Sequence, residues 1–404
     1  QMGDGFGRGL LRAAGVTGGT LDLSQKLGGD PPTVRRVLAA VVAGAGKLRT
    51  LDLSQNKLGA EDARALAPAL MKTTALTSLS VANNDIVGKE AQQLAKAVLN
   101  CSSLEVLSGV PIKKLRAGKL TKLDLQGKGL GATEGIVLAE LMQLRPVLTK
   151  LRLYDNNIGN DGAKAIAEAL KVNTVMTELN LRWNSIGGEG AIAIAEALKV
   201  NAVMTTLFLG DNNIGVEGAK AIAEALKVNA VLTTLRLEDN KIGAVGAKAI
   251  AEALKVNAVV TTLGLYKNNI GPEGAIAIAE ALKVNAVVTT LYLAANSIGD
   301  EGAKAIAEAL KVNAVLTELS LWGNNIGDDG AKAIAEALKV NAVLTKLDLD
   351  DNKIGPEGAI AIAEALKVNA VLTELDIRAN DMGDAGKKAV RDAVKGRSGF
   401  VLEL

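Results

Sequence analysis

Nine Leu-x-Leu pairs stand 28 residues apart along this chain: Leu151/Leu153, Leu179/Leu181, Leu207/Leu209, Leu235/Leu237, Leu263/Leu265, Leu291/Leu293, Leu319/Leu321, Leu347/Leu349 and Leu375/Ile377. Five positions after the first Leu of every pair comes an asparagine, from Asn156 to Asn380. An Ile (Met382 in the last copy) and a Gly then follow. Chance does not place nine such copies in register. A fixed period of this length marks a repeat architecture, in which one unit cannot bury its apolar face alone. Length alone, at 404 residues, would have suggested two or three globular domains.

Each unit has two halves with different periodicity. The first alternates, as in Thr233-Thr234-Leu235-Arg236-Leu237-Glu238, which predicts a half-buried strand with its Leu side inward. In the second, Ala303, Ile306, Ala307 and Leu310 fall at i, i+3, i+4 and i+7, the stripe of an amphipathic helix. Asp300 is expected as its N-cap, with Glu301 in the first turn. Stacked copies then require parallel strands in one sheet, with helices returning outside. The repeated asparagine is expected to bond the backbone of the turn that leaves each strand. Strands lie about 4.8 Å apart and helices about 8–10 Å apart, so each unit should rotate roughly 20–30°. The expected fold is an α/β solenoid shaped as a horseshoe, with the sheet concave and the helices convex. A core built this way needs few large rings, and aromatics make up only 2% of the chain against 49% apolar residues.

The pattern Leu-x-x-Leu-x-Leu-x-x-Asn-x-Ile-Gly in a 28-residue helical unit resembles the ribonuclease-inhibitor-like leucine-rich repeats. That group includes the inhibitor, the sensor ends of NOD-like receptors, and the GTPase-activating protein of Ran. The inhibitor is cysteine-rich and alternates two repeat lengths, whereas this chain has one cysteine, Cys101, and one length. The receptors' nucleotide-binding domain and the Ran activator's acidic tail have no counterpart here. The resemblance implies a protein or peptide partner on the concave face. It also raises a GTPase regulator of the Ran-activator type; identical helices keep open a structural subunit or an engineered scaffold.

The ends are less regular. A cap and first irregular repeat are expected over 1–50, where Leu21/Leu23 carries Lys26 in place of Asn. Divergent repeats follow over 51–122, with Leu51/Leu53 and Asn56, then Leu79/Val81 and Asn84. From Leu107 to Leu123 the step is only 16 residues and contains Pro111, which predicts a truncated or helix-less unit. Lys113, Lys114, Arg116, Lys119, Lys122 and Lys128 gather there, either as a solvated loop or as a contact for an acidic partner or anionic lipid. Regular repeats are expected over 123–383 and a cap over 384–404, in which Leu402 and Leu404 could add a last strand.

Comparing the repeats with one another locates the variation. Ala-Ile-Ala-Glu-Ala-Leu-Lys-Val-Asn occurs identically eight times, from Ala165–Asn173 to Ala361–Asn369. The strand positions facing away from the core differ almost every time. One outward row runs Arg152, Asn180, Phe208, Arg236, Gly264, Tyr292, Ser320, Asp348, Asp376. The next runs Tyr154, Arg182, Gly210, Glu238, Tyr266, Ala294, Trp322, Asp350, Arg378. Of the three Phe, three Tyr and two Trp, six lie on this segment: Tyr154, Trp183, Phe208, Tyr266, Tyr292 and Trp322. Phe6 and Phe400 lie near the ends. Trp, Tyr and Arg dominate interface hot spots. The candidate partner-binding residues are therefore Arg152, Tyr154, Arg182, Trp183, Phe208, Arg236, Tyr266, Tyr292, Trp322, Asp348, Asp350 and Arg378. Packing of the rings on one another is the competing explanation. Asp348, Asp350, Asp351, Glu374 and Asp376 form an acidic end, beside Lys346 and Arg378, that could meet a basic patch. Ile192, Ile276 and Ile360 replace a helix Lys every third unit, by block duplication or for a second contact.

Several chemistries find no support. There is no histidine, so His bases, Cys–His nucleophiles and the usual metal sites are absent, and no cofactor is expected. One cysteine cannot build a disulfide framework within the chain. A net charge of +2 does not suggest a nucleic-acid binder. Gly44-Ala45-Gly46-Lys47 is only a fragment of a phosphate loop, and no Gly-x-Ser-x-Gly elbow occurs. No run of 18 apolar residues suggests a membrane span. The expectation is a non-enzymatic, cytoplasmic, monomeric binding protein.

Overall fold

The computed structural model describes residues 19–27, 48–144 and 146–404. Most of the cap expected over 1–50, including Phe6, lies outside the described residues. The chain divides into two compact units, 1–197 and 198–404. Both are α/β stacks of the expected strand–helix repeat.

Unit one runs β1 (Thr20–Asp22), β2 (Thr50–Asp52), α1 (Ala60–Leu70), β3 (Ser78–Ser80), α2 (Gly88–Asn100), β4 (Val106–Leu107), α3 (Ile112–Arg116), β5 (Lys122–Asp124), α4 (Ala132–Leu144), β6 (Lys150–Arg152), α5 (Gly159–Val172), β7 (Glu178–Asn180) and α6 (Gly188–Leu198). Unit two continues with β8 (Thr206–Phe208), α7 (Gly215–Leu226), β9 (Thr234–Arg236), α8 (Gly243–Leu254), β10 (Thr262–Gly264), α9 (Gly271–Leu282), β11 (Thr290–Tyr292), α10 (Gly299–Leu310), β12 (Glu318–Ser320), α11 (Asp328–Val340), β13 (Lys346–Asp348), α12 (Pro356–Val368), β14 (Glu374–Asp376), α13 (Gly383–Val394) and β15 (Val401–Glu403). Strands β8 to β15 pair in sequence order, parallel and in register, Leu263 standing between Leu235 and Leu291. The last strand places Leu402 against Leu375, and Leu404 lies beyond its end.

The core is a set of leucine and alanine layers. Leu263, Leu265, Ile270, Ala275, Ile278, Ala279 and Leu282 of one repeat are all buried. Helices approach closely because Gly sits on their inner face: a Cβ on Gly302 would run into Ile298 Cγ2 and lie 2.9 Å from the Ala275 Cβ. The asparagine ladder follows expectation. The Asn268 amide donates to the carbonyls of Leu237 (2.8 Å), Leu265 (3.1 Å) and Tyr266 (3.2 Å). The Asn296 Oδ1 accepts from the N–H groups of Asn268 (2.8 Å) and Ile270 (3.3 Å). Both asparagines are buried, and each joins neighbouring repeats.

Three details correct or extend the sequence reading. Asp300 does not cap its own helix, which it occupies; its Oδ1 accepts from Gly327 N (2.8 Å) and Gly330 N (2.9 Å), so it caps the next repeat's helix. A second asparagine ladder runs past the C-terminal ends of the helices: Asn257 Nδ2 donates to Leu226 O (2.7 Å), and its Oδ1 accepts from Val259 N (3.0 Å) and Val260 N (2.8 Å). The short 107–123 step keeps a helix, the five-residue α3.

That step is a seam within unit one. β1–β4 form one four-stranded parallel sheet, while β5, β6 and β7 pair separately. Helix α2 packs against α4 across the seam. Arg116 belongs to the structure here rather than to a solvated loop: its guanidinium donates to Leu99 O (2.8 Å), Leu104 O (3.2 Å) and Val98 O (3.3 Å). Ile112 stands where a ladder asparagine would, and is buried. In the ladder's place Ser108 Oγ accepts from Val81 N (3.0 Å) and donates to Glu134 Oε1 (2.7 Å), while Glu134 Oε2 accepts from Gly131 N (2.9 Å). Glu134 is fully buried, and loss of hydration pushes its carboxyl above the usual glutamate range.

Candidate binding surface

The outward positions of the strands are the chain's variable surface, and each unit carries a different arrangement. In unit one, Arg152 is exposed, its Nη2 3.3 Å from Glu178 and its Nη1 4.0 Å from Asp124. Lys150 also reaches Glu178 at 2.5 Å, and these cations hold its carboxyl below the usual range, Lys150 first. Tyr154 and Trp183 meet with ring centroids 6.0 Å apart, tilted by 34°, and the Arg182 guanidinium lies 5.8 Å from the Tyr154 ring.

Trp183 departs from the expected strand position. It lies in the turn beyond β7 at φ 56°, the left-handed region, and remains 47% exposed. Asp155, Asp211, Asp239 and Asp351 hold the same place in other repeats, at φ 57°, 53°, 46° and 50°. Asp tolerates this conformation; a bulky ring there is an outlier.

In unit two the strand-face rings are half-buried, and two of them pair across rungs. Tyr266 and Trp322 stack at 5.7 Å and 20°, although they belong to repeats two apart. Ala294 stands between them and is small enough to lie beneath, 5% exposed. In the neighbouring row Arg236 reaches over Gly264 to the Tyr292 ring, 4.5 Å from its centroid. A Cβ on Gly264 would meet the Glu238 carboxylate and lie 2.7 Å from Arg236 Nε. Glu238, itself buried, is bonded to that same Nε. Small residues between large ones thus let side chains bridge two rungs. A ring pair contributes about 0.5–1.5 kcal/mol beyond burial, and an exposed cation–π contact about 0.5–1 kcal/mol. The rings do pack on one another, then, and stacking accounts for part of their presence. Phe208 is half-buried at the start of this face.

The acidic end is also internally bonded. Tyr292 Oη donates to Glu318 Oε1 (2.9 Å); burial and then Glu318 push the Tyr292 phenol up. Ser320 Oγ donates to Asp348 Oδ2 (2.6 Å), and Asp350 N to Asp348 Oδ1 (3.1 Å). Burial outweighs these bonds and pushes the Asp348 carboxyl up. Asp350 Oδ1 is buried without a hydrogen-bond donor. Lys346 pairs with Glu374 at 3.0 Å. Arg378 makes a two-point contact with Asp376 (Nη2–Oδ2 2.6 Å, Nε–Oδ1 3.0 Å), which raises the Arg378 pKa. Between β11 and β14 this face holds an open recess of about 290 Å³.

Among the described residues, no group of three or more His, Cys, Asp or Glu side chains is placed to hold a metal ion, and no helix is long and apolar enough to cross a membrane.

A leucine-rich repeat model matches ten segments: 47–67, 146–167, 172–195, 200–223, 228–251, 256–279, 284–307, 312–335, 340–363 and 368–390. Together they span more than half of the chain. The chain belongs to the leucine-rich-repeat family. Among solved structures it is similar to one titled Leiomodin-1 Actin-Binding Site 2, at 28% identity over 38% of this chain and 88% of that one, with a TM-score of 0.33. No curated protein matches. As a leucine-rich-repeat protein, the chain presents on its strand face the segment that varies while the family's leucines and asparagines stay fixed.

Proposed function

We propose that this leucine-rich-repeat chain, of the ribonuclease-inhibitor-like type, is a recognition scaffold that binds a protein or peptide on its strand face and does no chemistry of its own. Repeat proteins of this kind use extended surfaces for binding. The observation that carries the reading is Trp183. Its ring stays 47% exposed on a left-handed backbone at a place where four sister repeats use Asp, so the fold does not require a ring there. Packing on Tyr154 leaves the ring worth only about 1 kcal/mol to the fold, well below a core side chain, and binding explains why so exposed a ring stands there. The eight identical helix segments behind changing strand residues support the same reading.

The test uses two variants of the full chain, Trp183→Asp and the double Tyr266→Ala/Trp322→Ala. Both are expected to lose the partner recovered by the parent from source-cell extract, while unfolding within a few degrees of it. Full partner retention by both would overturn the reading. A regulator of a small GTPase is one particular case of it, separable by measuring GTP hydrolysis with candidate GTPases.

A further inference from the structure

The strand face of unit two is polarised. Rings and Arg236 occupy β8 to β12, and carboxylates gather from β12 to β14. On this face lies a recess of about 290 Å³, walled by Tyr292, Glu318, Lys346, Asp348, Glu374 and Asp376 among others. Small-molecule sites are usually about 300–1,000 Å³, so this recess suits a single side chain presented by a polypeptide better than a free ligand. Its four carboxylates face one lysine on the wall, and Arg378 reaches Asp376 from outside. Charge in the recess is therefore unbalanced toward the negative. Tyr292 adds an aromatic wall, favourable to a cation.

We propose that the recess receives an arginine side chain of a partner polypeptide lying across β11–β14, with an adjacent apolar residue of that partner against the Tyr266–Trp322 pair. The inference rests on the strand-face reading above and names the partner's chemistry. A planar guanidinium matches carboxylates arranged on several sides and can also lie against a phenol ring. Asp348 is desolvated without a cation in direct contact, and a guanidinium would supply one.

The test compares two fluorescein-labelled decapeptides, alternating Leu with Arg and Leu with Glu, by anisotropy with the full chain at about 50 mM and about 500 mM salt. The Arg peptide is expected to bind at least about tenfold more tightly than the Glu peptide at low salt, and to lose most of that advantage at high salt. Glu318→Gln/Asp348→Asn should weaken the Arg peptide about tenfold and leave the Glu peptide unchanged. Equal affinities, no binding by either peptide, or an Arg peptide indifferent to salt would overturn the inference, and these need no variant. A Glu peptide that binds more tightly and depends on Tyr266 and Trp322 would also overturn it, while leaving the strand-face reading intact. Arg-peptide binding that ignores Tyr266→Ala/Trp322→Ala would instead count against that reading.

Discussion

Replacing Trp183 by Asp separates a ring kept for packing from a ring kept for contact. The ring is 47% exposed, so its burial is about half of what a core side chain achieves, or about 1 kcal/mol. Its contact with Tyr154 at 6.0 Å adds about 0.5–1.5 kcal/mol. Against this stands the left-handed backbone at φ 56°, which costs an ordinary residue about 1–2 kcal/mol and Asp less. The sum is a net loss of about 1 kcal/mol. Removing a buried ring costs about 3–5 kcal/mol instead. Urea unfolding followed by circular dichroism resolves the two, provided the slope of the transition is unchanged. A loss of 3 kcal/mol or more would refute the reasoning, because Trp183 would then be a structural residue. A small loss is also what the sister repeats imply, since four of them fold with Asp at this place and the others with Lys267, Ala295, Gly323 and Ala379.

Two further predictions concern the scaffold. Asn268→Ala should destabilise the chain by about 3 kcal/mol or more in the same assay, because the buried N–H groups of Asn240 and Ile242 lose the Asn268 Oδ1 as acceptor, while the Leu237, Leu265 and Tyr266 carbonyls each keep a second donor. Glu134→Gln should change the pH dependence of unfolding. Burial raises the folded carboxyl's pKa above the unfolded value near 4.3, so its stabilising form is the protonated one. That contribution is complete below the unfolded value and is lost as pH rises through the folded value. The parent should therefore weaken relative to Glu134→Gln on going upward through that window, and a constant difference between the two would count against it.

The repeat was legible because its constraints are local and multiplied. Period two and period 3.6 alternate within 28 residues; Leu263 recurs in all nine copies and Ala303 in eight of them. The asparagine ladder was legible for the same reason. The second ladder, through Asn257 and its equivalents, carried the same signal inside the eight identical segments but offered no turn motif to suggest a role. Asp300 looked like an N-cap because its own helix begins beside it; that its carboxylate serves the next helix depends on the stacking distance between repeats, which no single unit encodes. Arg116 and Glu134 escaped for a related reason, since both compensate for a missing rung. On the strand face, sequence located the variable rows but not their bridging. Gly264 and Ala294 read as empty positions in those rows, yet they are the spaces that let Arg236 reach Tyr292 and Tyr266 reach Trp322.

The most direct measurement of the central claim is photo-crosslinking in the source cell. A benzoylphenylalanine is placed at Tyr266 on the strand face or, in a second variant, at Ala305 on helix α10. The account predicts a discrete adduct with another polypeptide from Tyr266 that is absent from Ala305. Discrete adducts from Ala305 alone would place recognition on the helices and contradict it.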